Sequence, residues 1–154
     1  MTNALFYSPV KGVVKDITEC SDPVFSEKMM GDGILVKPED NKIIAPCDGI
    51  INTLVKTKHA ITMYNKHQIP LIIHVGIDTV ELNGEGFVAY VKNGDVVKKG
   101  QLLLEVDFDY LKHKGFDTDT IMLIADTNVP IKAKFIEKDY AESNIVMQVE
   151  ISND

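Results

Sequence analysis

Apolar positions along this chain come in short runs, broken by glycines and charged turns. The runs 12–17, 33–37, 42–45, 49–56, 60–64, 69–75, 86–91, 101–106, 120–124, 130–135 and 145–151 predict strands. Turn chemistry separates them at Gly31-Asp32-Gly33, Pro38-Glu39-Asp40-Asn41, Asn83-Gly84-Glu85-Gly86 and Lys92-Asn93-Gly94-Asp95. Many short strands at such spacing predict an all-β fold, a mostly antiparallel sandwich or barrel. One segment reads as helix: Asp107 can cap residues 108–114, and Gly115 can end them. A second short helical turn fits within 23–30. The stretches Ser8-Pro9-Val10-Lys11-Gly12-Val13-Val14 and Ala45-Pro46-Cys47-Asp48-Gly49-Ile50-Ile51 share the pattern small-Pro-x-x-Gly-apolar-apolar. Two such strands are what a duplicated half-barrel would show. Residues 1–154 read as a single domain. The end, 151–154, reads as frayed.

Two of the runs carry the chain's most informative side chains. Segments 56–64 and 69–75 flank the polar Asn65-Lys66-His67-Gln68 and read as a hairpin. The second run is almost wholly apolar, as a buried strand should be. With Lys66 and His67 as central turn residues, His59 faces His74. With Asn65 and Lys66 central, His59 faces Ile72 and lies diagonal to His74. Either two-residue loop puts both rings on one face, roughly 5–8 Å apart at Cβ. A three-residue loop would send one ring to the other face. Two imidazoles at the end of an apolar strand, rimmed by hydroxyls and carboxylates, are groups that can receive and pass on a phosphoryl group. An isolated histidine at such a place is more often a hydrogen-bonded structural residue, and His67 and His113 keep that reading.

Charge and composition narrow the partners. The net charge of -7 argues against nucleic-acid or anionic-membrane surfaces and suits basic protein partners. All 16 basic residues are lysine, so no guanidinium fork is available to grip phosphate. Any phosphate would be held by lysines, backbone N–H groups, hydroxyls or imidazoles. Cys20 and Cys47 have no motif around them and read as free thiols of a reducing cytosol. No apolar run reaches the ~18 residues of a membrane span. A cytoplasmic location is expected.

The block Leu71-Ile72-Ile73-His74-Val75-Gly76-Ile77-Asp78-Thr79-Val80-Glu81-Leu82 closely resembles the signature of the glucose-type enzyme IIA component of the bacterial phosphoenolpyruvate:sugar phosphotransferase system. Further matches keep the family order: Val24-Phe25-Ser26-Glu27-Lys28, Gly31-Asp32-Gly33-Ile34, Ala45-Pro46-Cys47-Asp48-Gly49, Thr57-Lys58-His59-Ala60 and Gly84-Glu85-Gly86-Phe87. The likeness covers essentially the whole chain. It implies that His74 accepts a phosphoryl group from the phosphocarrier HPr and passes it to an enzyme IIB domain of a sugar permease. His59 would assist onward transfer, and Thr57 would support one of the rings. Val24, Phe25, Met30 and Val80 would form an apolar collar for partners, and Asp22 and Asp78 would meet basic residues of HPr. The resemblance further implies a free-standing monomer, with no membrane anchor and no required cofactor. Partners could extend to enzymes or transporters that it regulates. One departure stands out: a glycine is usual six residues before the acceptor histidine, and this chain has Gln68.

Two other classes fit parts of the chain. His59 and His74, with Asp78 or Glu81, could ligate zinc in a hydrolase. There is no His-Glu-x-x-His motif or clear third ligand, and in the family a zinc bridging the two histidines needs a partner's carboxylate. A biotinyl- or lipoyl-carrier module is suggested by residues 91–101, with Lys28 as the only candidate attachment site.

Overall fold

The computed structural model describes residues 2–126, 128–136, 138–140 and 145–151. The expected frayed end falls, for 152–154, outside the described residues. The elements run β1 (Thr2–Tyr7), β2 (Gly12–Asp16), α1 (Pro23–Ser26), β3 (Asp32–Pro38), β4 (Lys42–Ile44), β5 (Gly49–Leu54), β6 (Ala60–Asn65) and β7 (Pro70–Val75). They continue with β8 (Phe87–Ala89), β9 (Val96–Val97), β10 (Leu102–Val106), α2 (Phe108–His113), β11 (Thr120–Ile124), β12 (Ile131–Lys134), β13 (Lys138–Tyr140) and β14 (Ile145–Ile151). Short 3-10 turns occupy Ile17–Glu19 and Thr79–Leu82.

One large sheet has the order β13-β2-β3-β11-β7-β6-β5-β9; two small ones have the orders β1-β14-β12 and β4-β10-β8. Every described pairing is antiparallel. The expected all-β sandwich with two short helices is what the chain forms. Asp107 caps α2 as its position implied, accepting from Tyr110 N–H at 3.0 Å. Strands β1, β9 and β13 were not among the expected runs. β1 is an apolar run beginning at the chain start, with Ala4 and Phe6 buried and Leu5 outward. β9 is only two residues long, too short for a periodic signal.

The internal repeat has a structural counterpart. Tyr7 N–H donates to the Pro46 carbonyl (2.9 Å), and Ile44 N–H donates to the Pro9 carbonyl (2.8 Å). These bonds exchange places when one repeat is laid on the other. Gly12 and Gly49 are equivalent too. A Cβ at Gly12 would lie 2.1 Å from the Lys37 carbonyl oxygen, and one at Gly49 would lie 2.2 Å from that of Tyr64. Only glycine lets each strand close on its neighbour there.

The middle of the large sheet is covered on both faces, which explains its unbroken apolar strands. Ile34, Val36, Leu71, Ile73, Met122 and Ile124 point into the main core. Leu35, Ile72, Ile121 and Leu123 point the other way, into a smaller cluster closed by Ile17, Cys20 and Phe25. His74 shares the face of Ile72, two residues along β7, so it stands at the rim of that smaller cluster.

The β6–β7 hairpin corrects the expected register. Ala60 pairs with His74, and Asn65 N–H reaches the Ile69 carbonyl (3.2 Å), so the loop is the three residues 66–68. Neither two-residue turn forms. Asn65 caps the loop by accepting from the N–H groups of His67 and Ile69, both at 2.9 Å. Gln68 sits at φ 63°, the left-handed residue that three-residue hairpin loops require. That is why glycine suits the position. We expect Gln68→Gly to raise stability by about 1 kcal/mol, read from the urea midpoint at unchanged m value.

Candidate functional site

His74 is the last residue but one of β7, between Ala60 of β6 and Ile121 of β11. Ala60 is small and leaves the face above it open. Beyond His74 the chain turns sharply at Gly76 (φ 73°), where a Cβ would lie 2.5 Å from Thr79 Cγ2. The Thr79 hydroxyl closes this turn by donating to the Val75 carbonyl at 2.5 Å. The turn aims the Gly76 carbonyl back at the imidazole, 2.9 Å from Nδ1. A carbonyl only accepts, so Nδ1 carries the proton and Nε2 keeps its lone pair.

His59 reaches the same spot by a route the hairpin arithmetic missed. It lies just outside β6, after Lys58 at φ 62°, and its carbonyl accepts from Val75 N–H at 2.7 Å. Strict alternation governs pleated residues, and His59 is a turn residue. Its ring therefore stands beside His74, with centroids 5.1 Å apart and planes at 82°, despite the three-residue loop. Thr57 Oγ1 lies 2.7 Å from His59 Nδ1, which also leaves Nε2 of His59 open.

α1 supplies the floor. Asp22 caps it by accepting from Val24 N–H at 3.0 Å, and Pro23 opens it. Phe25 then packs on the His74 ring, centroid to centroid 4.9 Å. Phe25 is 3% exposed, so it offers no docking surface and departs from its expected place in the collar. The aromatic ring supports His74 from below. Val24, Met30 and Val80 are exposed, on segments that flank the site, and Met29 is exposed more fully still.

Burial pushes the His74 pKa down from 6.5 to about 4, helped by the neighbouring His59; the Gly76 bond and the Asp22 and Asp78 carboxylates oppose this. Burial likewise lowers the pKa of His59. Both rings are neutral at pH 7. An unfolded chain binds a proton at His74 below about pH 6.5, and the folded chain resists it until about pH 4. Stability contributed by neutral His74 is therefore full above pH 6.5 and falls as the pH drops toward 4. The loss is up to about 3 kcal/mol. His74→Gln should flatten the stability profile across this window, measured by urea unfolding at stepped pH.

Several residues of the site carried no signal in the sequence. Asp117 and Asp119 hold the turn after His74 through their backbone carbonyls, at 3.0 Å to Ile77 N–H and 2.9 Å to Gly76 N–H. An acidic pair before an apolar strand reads as a turn unless its distant partners are known. Cys20 and Cys47 are free, as expected, and both are buried. Burial pushes the Cys47 thiol up to about 12.

Among the described residues no cluster of three His, Cys, Asp or Glu side chains could hold a metal. His59 and His74 have one open ring nitrogen each, at most two of the four ligands zinc takes. The zinc-hydrolase reading loses its third ligand. Lys28 follows α1 in the left-handed region and pairs with Asp32 at 3.6 Å, so it is not at the tip of a carrier-type hairpin. No helix among the described residues is long and apolar enough to cross a membrane.

A β-sandwich with two neutral, edge-to-face imidazoles beside exposed apolar side chains has the groups a phosphoryl-carrying domain needs. Residues 4–129 match the family described as "phosphoenolpyruvate-dependent sugar phosphotransferase system, EIIA 1". The chain belongs to that family, the EIIA 1 components of the phosphoenolpyruvate-dependent sugar phosphotransferase system. It is 48% identical over 122 residues to the PTS system glucose-specific EIICBA component of Staphylococcus carnosus (strain TM300), 79% of this chain and 18% of that protein. It is 42% identical over 145 residues to the component of the same description from Staphylococcus saprophyticus, 93% of this chain and 21% of that protein. The chain thus spans about a fifth of the length of these curated relatives. Glucose permease IIA from Mycoplasma capricolum superposes with a TM-score of 0.91 at 27% identity, covering 96% of each chain.

Proposed function

We propose that His74 is the phosphoryl acceptor, taking the group from HPr and giving it to the IIB domain of a glucose-type sugar permease. The observation that carries this reading is the bond from His74 Nδ1 to the Gly76 carbonyl, which commits Nε2 as the nucleophile. Nε2 attacks phosphorus in line. The bond from phosphorus to the donor breaks, and its electron pair returns to the donor. Such a transfer needs placement and charge stabilisation more than covalent help. His59 stands where its Nε2 can donate to a phosphoryl oxygen. For that, the Thr57 hydroxyl must donate to His59 Nδ1.

Val24, Met30 and Val80 would exclude water when a partner docks, so that phosphohistidine transfers rather than hydrolyses. Asp22 and Asp78 would meet basic residues of HPr. Release must be fast, so each interface should bury less than roughly 1,200 Å². The domain acts as a monomer in the cytoplasm and requires no cofactor. Zinc could bridge the histidines only where a partner adds a carboxylate. Incubation with phosphoenolpyruvate, enzyme I and HPr, followed by mapping of the acid-labile phosphate, tests the reading; label anywhere but His74 refutes it.

A further inference from the structure

The turn that fixes His74 is itself held by a segment the transfer reaction has not used. Gly76 N–H donates to the Asp119 backbone carbonyl, and Ile77 N–H to that of Asp117. The Asp117 carboxylate accepts from the Ser21 hydroxyl at 3.0 Å and from Asp119 N–H at 2.9 Å. Ser21 adjoins Asp22, the cap of the helix that puts Phe25 under the His74 ring. The Asp119 side chain is 4% exposed and accepts from Lys37 Nζ of β3 at 2.7 Å. Segment 117–119 thus ties both walls of the site, the α1 loop and the Gly76 turn, to the sheet.

An ion pair with one buried partner is a poor source of stability, since the carboxylate loses hydration that the contact must offset. It is a good source of fixed geometry. Lys37, on β3, pins the Asp119 side chain from one side. Gly76 N–H, held by the Asp119 carbonyl, and Ile77 N–H, held by the Asp117 carbonyl, bracket Gly76, and the Asp117 bond falls on the very peptide whose oxygen faces His74 Nδ1. A shift of that peptide would release the Nδ1 proton and let the ring adopt the other tautomer, with Nε2 protonated and unable to attack.

We propose that Asp117 and Asp119, with Lys37 as the counter-ion of Asp119, are positioning residues that hold His74 in its nucleophilic tautomer. The inference rests on His74 as acceptor for its consequence in transfer, and on the ring alone for its physical content. The test combines two readouts on the full chain labelled with 15N-histidine: the ring nitrogen shifts of His74, and the rate of labelling from phospho-HPr. The unaltered protein should show a single Nδ1–H tautomer. Asp119→Asn should show both tautomers and a labelling rate lower by about tenfold or more. Lys37→Gln, at a half-exposed side chain, should shift the ring the same way and serves if Asp119→Asn fails to fold. Lys37→Arg should keep unaltered shifts and rate. A folded Asp119→Asn or Lys37→Gln protein with unchanged His74 shifts overturns the proposal, whatever its rate. Absence of label in the unaltered protein would instead refute the acceptor reading, while the ring shifts would still decide this one.

Discussion

His74→Gln protein incubated with phosphoenolpyruvate, enzyme I and HPr should carry no acid-labile phosphate. The expected loss is on the order of 10⁴-fold or more, because the nucleophile itself is gone. Glutamine keeps a polar side chain of similar reach, and its amide can still donate toward the Gly76 carbonyl. Its nitrogen lone pair is delocalised and does not attack phosphorus. The fold should survive the change. His74 lies at the rim of the smaller cluster, and its ring packs on Phe25, which stays anchored by the Asp22-capped turn. Thermal unfolding near neutral pH should therefore remain cooperative, which separates lost chemistry from lost structure. Phosphate that persists on His74→Gln would mean that another group accepts it, with His59 as the first suspect.

Much of this site was legible in the sequence, because its chemistry lies in a few contiguous blocks. The turn after His74 needs a left-handed glycine at 76, and it has one. The almost wholly apolar β7 predicted a strand packed on both faces, and Ile72 and Ile73 do enter opposite clusters. The hairpin register was not legible. Strong turn signals such as Asn-Gly are absent, and Gln68 occupies a conformation its residue type disfavours. The two rings still meet, because His59 is set by the left-handed Lys58 turn rather than by pairing in β6. Phe25 was expected in the collar and is buried instead; its neighbours Val24 and Met29 are equally apolar yet exposed, so local pattern does not tell core from surface here. Asp119 was invisible for a different reason: its partner Lys37 is 82 residues away. Local pattern carries no trace of such a pair.

The His59→Gln protein should still take phosphate from HPr, within about tenfold of the unaltered rate, but pass it on at least about 100-fold more slowly. The asymmetry follows from what each ring needs. The nucleophilic tautomer of His74 is set by Gly76 and owes nothing to His59. On arrival, the phosphoryl group is also held by the donor's own groups. On departure, its charge must be steadied from this side, and the described site has no arginine to do so. The edge-to-face ring of His59, 5.1 Å from His74 between centroids, is the available donor. It acts as an N–H donor only while Thr57 Oγ1 donates to its Nδ1. Thr57→Val should therefore weaken onward transfer in the same direction, by about tenfold. Stopped-flow transfer from the isolated phosphoprotein to a IIB domain measures both variants. Normal onward transfer from His59→Gln would remove His59 from the reaction and leave its bond to Thr57 a structural one.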